Sequence, residues 1–377
     1  EQDPRAIWRL FAANYHLFRG TPSRLWFEHA LQTVFDITER LSASNADRMF
    51  DTISDALKQD AMRPRALFER FGIDVIATTD SADDPLAYHD AIRASGWSGR
   101  VVPTYRPDAV VDPDRPGFRT ALRRFVEMSG EAGTFAGYLT AHRTRRAYFQ
   151  ERGATATDHG HPTADTADLS AADAEALFAD ILAGTADAEA RALFRAQMLT
   201  EMARMSLDDG MVMQIHPGSL RNHNKAVFDA FGFDKGADIP TRTDYVHSLR
   251  PLLSAVGNEI GLTVILFTLD ETAYARELAP LAGHYPALRL GPAWWFHDSP
   301  EGMRRFREMT TETAGFYNTV GFNDDTRAFL SIPARHDMAR RVDCAFLARL
   351  VSDGRLDEDE AAPVSYTHLT LPTICSV

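Results

Sequence analysis

Residues 211–224 read MVMQIHPGSLRNHN. Val212, Met213, Gln214 and Ile215 form the kind of short apolar run that a buried strand requires. The run then stops at His216, passes through a Pro-Gly turn, and enters a cluster of Arg221, Asn222, His223 and Asn224. A buried strand ending so abruptly in imidazole, guanidinium and amide groups poses the question from which the rest of the chain can be read.

The same signature recurs on both sides. Short apolar, β-branched runs ending in polar residues occur at 74–80 (DVIATTD), 100–108 (RVVPTYRPD) and 153–160 (GATATDHG). Others follow at 263–271 (TVILFTLDE), 288–296 (LRLGPAWWF) and 317–327 (YNTVGFNDDTR). Helix-like segments such as SAADAEALFADILAG and EGMRRFREMTTETAG lie between them. Strand–helix alternation of this length predicts an α/β fold with a parallel sheet and helical crossovers. Seven candidate strands is one short of a (β/α)₈ barrel, in which strand ends converge on one face. An open doubly wound sheet would also gather them at one edge. The sequence has no GxGxxG or GxxxxGK[ST] phosphate loop, which disfavours nucleotide-binding versions of the open sheet and any nucleotide cofactor.

Residues 1–72 read differently. RAIWRLFAANYHLF and RLWFEHALQTVF carry aromatic and aliphatic residues at helical spacing, and SNADRMFDTISDAL offers Ser44 or Asn45 as a cap. The stripe Trp8, Phe11, Tyr15, Phe18 reads as packing rather than a cofactor box.

The chain has 377 residues, about 45% hydrophobic, with a formal charge of −13. That suits one large α/β domain or two smaller ones. It argues against nucleic-acid or anionic-membrane partners. Two cysteines, Cys344 and Cys375, make no disulfide framework, so a reducing, cytoplasmic setting is expected. No apolar run reaches the ~18 residues of a membrane helix.

In chain order the strand ends supply Arg106, Asp158 with His159, His216 with Arg221, Asp270 with Glu271, Trp294 with Trp295, and Asp324, Asp325 and Arg327. Arginine can hold a carboxylate bidentately, Asp and His can move protons or bind a divalent ion, and indole faces stack on sugar rings. An anionic, polyhydroxylated substrate fits this mixture. Each residue also has a plainer reading: RPD as a salt-bridged turn, WWF as wall packing, NDDTR as a helix cap. Recurrence at the same end of most strands favours a site. Metal-spacing motifs are incomplete: there is no HExxH and no CxxC, and the His159–His161 pair lies in a Gly/Pro loop.

TYRPD, ATDHG, MQIHPGSLRNHN, GADIP, LGPAWWFHDSPEGM and GFNDDTRAFLSIPARHDMARR together resemble the uronate (glucuronate) isomerase family of the amidohydrolase superfamily, from about residue 8 to about 361. The resemblance implies a (β/α)₈ TIM barrel of the amidohydrolase type with an inserted helical region. It divides the chain into that region (1–72), barrel strands 2–8 (73–361) and a non-family, disordered tail (362–377). It implies interconversion of D-glucuronate with D-fructuronate, and of D-galacturonate with D-tagaturonate, by proton transfer between C2 and C1 through an enediol. Asp325, Arg221 and His216 match catalytic positions; Arg106, Asp158, Trp294 and Arg327 match substrate-binding ones. Asp325 also matches the ligand of a divalent metal, zinc or manganese. The expected partner is a hexuronate, and a homo-oligomer is left open. The family's H-x-H metal pair and its His-Tyr dipeptide are absent near Glu1, so the chain looks truncated by one barrel strand, and VSYTHLTLPTICSV looks foreign. A metal-dependent hydrolase on the same scaffold is the alternative, disfavoured because the sixth strand ends in TLDE instead of a histidine. An inactive uronate-binding fragment is the non-enzymatic one.

Overall fold

Six strands alternate with helices between Val75 and Leu290. They are β1 (Val75–Ser81), β2 (Arg100–Arg106), β3 (Ala156–His159), β4 (Val212–Ile215) and, after a short antiparallel pair of β5 (Ser219–Leu220) with β6 (Ile239–Pro240), β7 (Val264–Leu266) and β8 (Leu288–Leu290). The computed structural model describes residues 3–130, 133–236, 238–325, 328–369 and 374–376, with Ser129 and residues from 366 onward described by backbone alone. The chain divides into two compact units, residues 77–97 with 101–321, and residues 1–76 with 98–100 and 322–377. No described helix is long and apolar enough to cross a membrane.

In the larger unit the strand order is β1-β2-β3-β4-β7-β8. The paired neighbours from β2 to β8 run parallel. The order never reverses, so there is no switch point of the kind a doubly wound sheet has, and barrel-type winding is the match. The register sets Asp158 opposite Gln214 and His159 opposite Ile215, and then Ile215 opposite Leu266. Burial alternates along β3 and β4, with Thr157, His159, Met213 and Ile215 closed off. Helix Ala188–Asp209 contributes buried Met198, Leu199 and Met202 to the same core. Full burial of each such aliphatic side chain is worth roughly 1.5–3 kcal/mol. Arg146 is 1% exposed and is held by Asp209 through Nε at 2.6 Å and Nη2 at 2.9 Å.

Two local devices end β4. Gly218 has φ +90°, and a Cβ there would lie 2.5 Å from Thr243 Oγ1, so the Pro-Gly turn needs its glycine. Asn224 accepts from Val227 N at 3.2 Å and caps helix Lys225–Phe231, while Asn222 Oδ1 accepts from Asp234 N at 3.0 Å. Both asparagines of the opening cluster therefore hold the loop.

The smaller unit opens with helices Pro4–Asn14, Pro22–Phe35, Ala46–Leu57 and Pro64–Arg70. The aromatic stripe is core: Trp8, Phe11, Phe18 and Phe27 pack around buried Tyr15, Leu41 and Met49. Asn45 precedes the third helix but does not cap it with its side chain; its Oδ1 takes Ser42 N at 2.8 Å. The run expected as a strand over 317–327 is shorter. Among the described residues, Thr319 of the larger unit bridges to Leu290, and β9 of the smaller unit covers Asp324–Asp325. Helix Glu358–Leu369 continues through Pro363, and β10 (Ile374–Ser376) pairs in parallel with β9.

Candidate active site

β2 delivers Arg106 as its last residue, and Pro107 then starts the short helix Asp108–Val111. Arg106 Nε donates to Asp108 Oδ2 at 2.8 Å, so the salt-bridged turn exists. It does not exclude the other reading, because Arg106 Nη1 also lies 3.5 Å from Asp158 Oδ2. Asp158 Oδ1 in turn meets His216 Nε2 at 2.7 Å. The His216 ring stands edge-on to Trp294 with centroids 5.3 Å apart, and Phe267 backs the indole at 6.0 Å. Arg106, Asp158, His216 and Trp294, taken from four strand ends, are thus brought together.

Arg221 reaches this group through aromatic neighbours. Its guanidinium lies 5.3 Å from the ring of Trp295, which packs on Trp294 at 5.5 Å. It also pairs with Asp234 at 3.4 Å and stays substantially exposed. Asp270 does something else. Its carboxylate accepts from Thr243 N at 3.1 Å and from Thr272 N and Oγ1 at 3.0 and 2.6 Å, so it fastens a turn.

Three residues that the sequence does not single out for the site also join it: Asp108, Gly160 and His161. Asp108 Oδ1 also accepts from Gly160 N at 3.3 Å, and Arg115 Nη1 lies 3.5 Å from Oδ2. A Cβ on Gly160 would sit 2.3 Å from Arg106 Nη2 and 3.0 Å from His216 Cε1, so the backbone passes where no side chain fits. His161 is buried, 6.1 Å ring to ring from His159. The available signal is the DHGH string after a strand, with glycine between two histidines.

Burial and charge oppose each other here. Burial pushes the Asp158 carboxyl up, but His216 and Arg106 outweigh it and hold the group below its ordinary value. For Asp108, burial is likewise overcome, chiefly by Arg106 with help from His161, leaving it well below the usual carboxylate range. Burial lowers His159 to about 3, with His161 adding to the shift, and burial also lowers His161. Both imidazoles are therefore neutral at pH 7.

In the smaller unit, Asp325 is exposed on β9, and its carbonyl accepts from Arg335 Nη1 at 3.4 Å. Arg335 Nε lies 2.9 Å from Oδ1 of fully buried Asp324, and its guanidinium sits 5.1 Å from the Trp26 ring. Arg327 lies outside the described residues. Among the described residues no group of three or more His, Cys, Asp or Glu side chains could hold a metal ion. Three or more protein ligands are usual for zinc. The donors described here, Asp325 included, do not fit that requirement.

The model of the glucuronate isomerase family matches residues 2–366. The chain belongs to the glucuronate isomerase family. Its enzyme class is therefore isomerase, and the hydrolase alternative is not favoured. The uronate isomerase of Brucella canis is 68% identical over 366 residues, covering 97% of this chain and 78% of that protein. That of Rhizobium meliloti is 69% identical over 362 residues, 96% of this chain and 77% of that protein. The crystal structure of glucuronate isomerase from Caulobacter crescentus superposes with a TM-score of 0.95 at 61% identity, covering 99% of this chain and 78% of that one. The fold class is accordingly the family's amidohydrolase-type (β/α)₈ barrel.

Proposed function

We propose that this family member interconverts D-glucuronate with D-fructuronate, and D-galacturonate with D-tagaturonate, in the cytoplasm. The observation that carries the residue-level reading is the Asp158–His216 pair at 2.7 Å, flanked by Arg106 and Trp294. An imidazole oriented by a carboxylate is the arrangement that proton transfer needs.

The reaction is an internal redox exchange and consumes no external reductant. A base takes the proton from C2. The C2–H electron pair becomes the C1–C2 double bond, and the C1 carbonyl oxygen takes up a proton, giving the enediol. Loss of the O2 proton and delivery of a proton to C1 then leave a ketone at C2 and an alcohol at C1. In this reading Asp325 moves the proton between the carbons. His216, held by Asp158, moves protons between the two oxygens. Arg221 and Arg327 stabilise the oxyanion as it develops. Arg106 and Trp294 border the sugar acid. Zinc or manganese, which the resemblance implies, has no complete set of protein ligands among the described residues.

Steady-state conversion of D-glucuronate tests this. Asp325→Asn should lose on the order of 10²–10⁴-fold in kcat, because an amide cannot accept the C2 proton. Near wild-type turnover would remove Asp325 from the chemistry.

A further inference from the structure

We propose that Asp108 is a positioning residue for the isomerisation: it holds Arg106 beside Asp158 and so sets the orientation of the Asp158–His216 pair. The inference rests on the reading of Asp158 and His216 as site residues given above.

Asp108 is 4% exposed, and its carboxylate is engaged on both oxygens. Oδ2 takes Arg106 Nε at 2.8 Å, and Oδ1 takes the N–H of Gly160, two residues beyond Asp158, at 3.3 Å. One carboxylate therefore ties the end of β2 to the end of β3. An arginine side chain has several rotatable bonds and a rigid fork that prefers bidentate carboxylate contacts. With Nε committed to Asp108, Arg106 approaches Asp158 through Nη1, at 3.5 Å and toward Oδ2. Oδ1 of Asp158 is left to His216. Without Asp108, the fork can turn and take both oxygens of Asp158, in competition with His216. Charge points the same way. Arg106 and Arg115 are balanced by Asp108 and Asp158, and loss of one carboxylate leaves an excess of positive charge that draws the other toward the guanidinium. Asp108 feels His216 only as a lesser charge neighbour, and it orients the pair through Arg106.

The test is a double-mutant cycle of Asp108→Asn and Arg106→Lys, read in kcat and KM for D-glucuronate. Asp108→Asn should lower kcat about tenfold, and the double variant should be no slower than Arg106→Lys alone, because the aspartate acts through the arginine. KM should stay within about threefold, since a residue that only orients the proton-transfer pair contributes little to ground-state binding. Losses that simply add, or an unchanged kcat in Asp108→Asn beside a crippled Arg106→Lys, would overturn the inference alone. Wild-type turnover in Arg106→Lys would overturn the site reading and this inference with it. If Asp108→Asn does not fold, Asp108→Glu, which keeps the charge but displaces it by one methylene, takes its place in the same cycle with the same two outcomes.

Discussion

Asp158 Oδ1 meets His216 Nε2 at 2.7 Å, across the joint between β3 and β4. Asp158 is paired in register with Gln214, so His216, two residues further on, turns back to reach it. Replacing Asp158 by Asn keeps the shape and removes the charge. Turnover of D-glucuronate should fall on the order of 10²-fold, and unchanged turnover would separate the pair from the chemistry. The folded-state pKa of Asp158 is depressed, so its stabilising contribution is present above the unfolded value and lost as pH falls through the folded one. Urea titrations should show a constant gap between wild type and Asp158→Asn above about pH 5, closing at lower pH.

Gly160→Ala puts a methyl where Arg106 Nη2 is 2.3 Å away. Arg106 must swing out, and His216 must give as well. Overpacking of this kind costs about 1–3 kcal/mol. The larger effect should be on kcat/KM, by about 100-fold, because misplacement by an ångström is that expensive in a site. Thermal melting alongside kinetics checks it. Equal activity would show that the loop moves aside freely.

The buried histidine at the end of β3 makes an acid-side prediction. His159 titrates near 3 in the folded chain but near the ordinary 6.5 when unfolded. Between those values the unfolded state binds the extra proton, so stability falls as pH falls, by at most about 1.4 kcal/mol per pH unit for this residue. Urea midpoints measured from pH 6 to pH 4.5, a range in which most carboxylates stay ionised, should drop less steeply in His159→Gln. An identical slope in the variant would mean that His159 is protonated in the folded state.

Arg146, 1% exposed, depends on Asp209 for two charge-assisted bonds. Asp209→Ala leaves a buried guanidinium without its counter-charge, and such losses cost about 3–5 kcal/mol. Denaturant unfolding should show that drop, with KM for D-glucuronate unchanged below the melting transition. A loss under 1 kcal/mol would mean that water replaces the carboxylate.

Local pattern in the chain reveals the strands because parallel strands are covered on both faces and show as short apolar runs. It reveals His216 and Asp158 because polar groups at the end of such a run have few other reasons to be there. It misleads at Asp270, where the same signal marks a carboxylate spent on Thr243 and Thr272. It is silent on Asp108 and Gly160, whose contact joins positions 52 residues apart. Nothing near either residue announces the other. His159 reads as a strand-end site candidate beside Asp158, yet the register places it opposite Ile215 and burial closes it off from solvent.

The pairing of Asp158 with Gln214 also bears on how such an enzyme can change over generations. Side chains alternate faces along β3 and β4, so losing or gaining one residue within β4 would send Met213 and Ile215 to the opposite face and carry His216 away from its carboxylate in one step. Point substitutions can retune this catalyst gradually, whereas indels inside these strands amount to a loss of both fold and function. Length changes are better tolerated in the excursions that follow the strands, such as the segment from Ser219 to Pro240, which can vary without disturbing the register that sets His216 against Asp158.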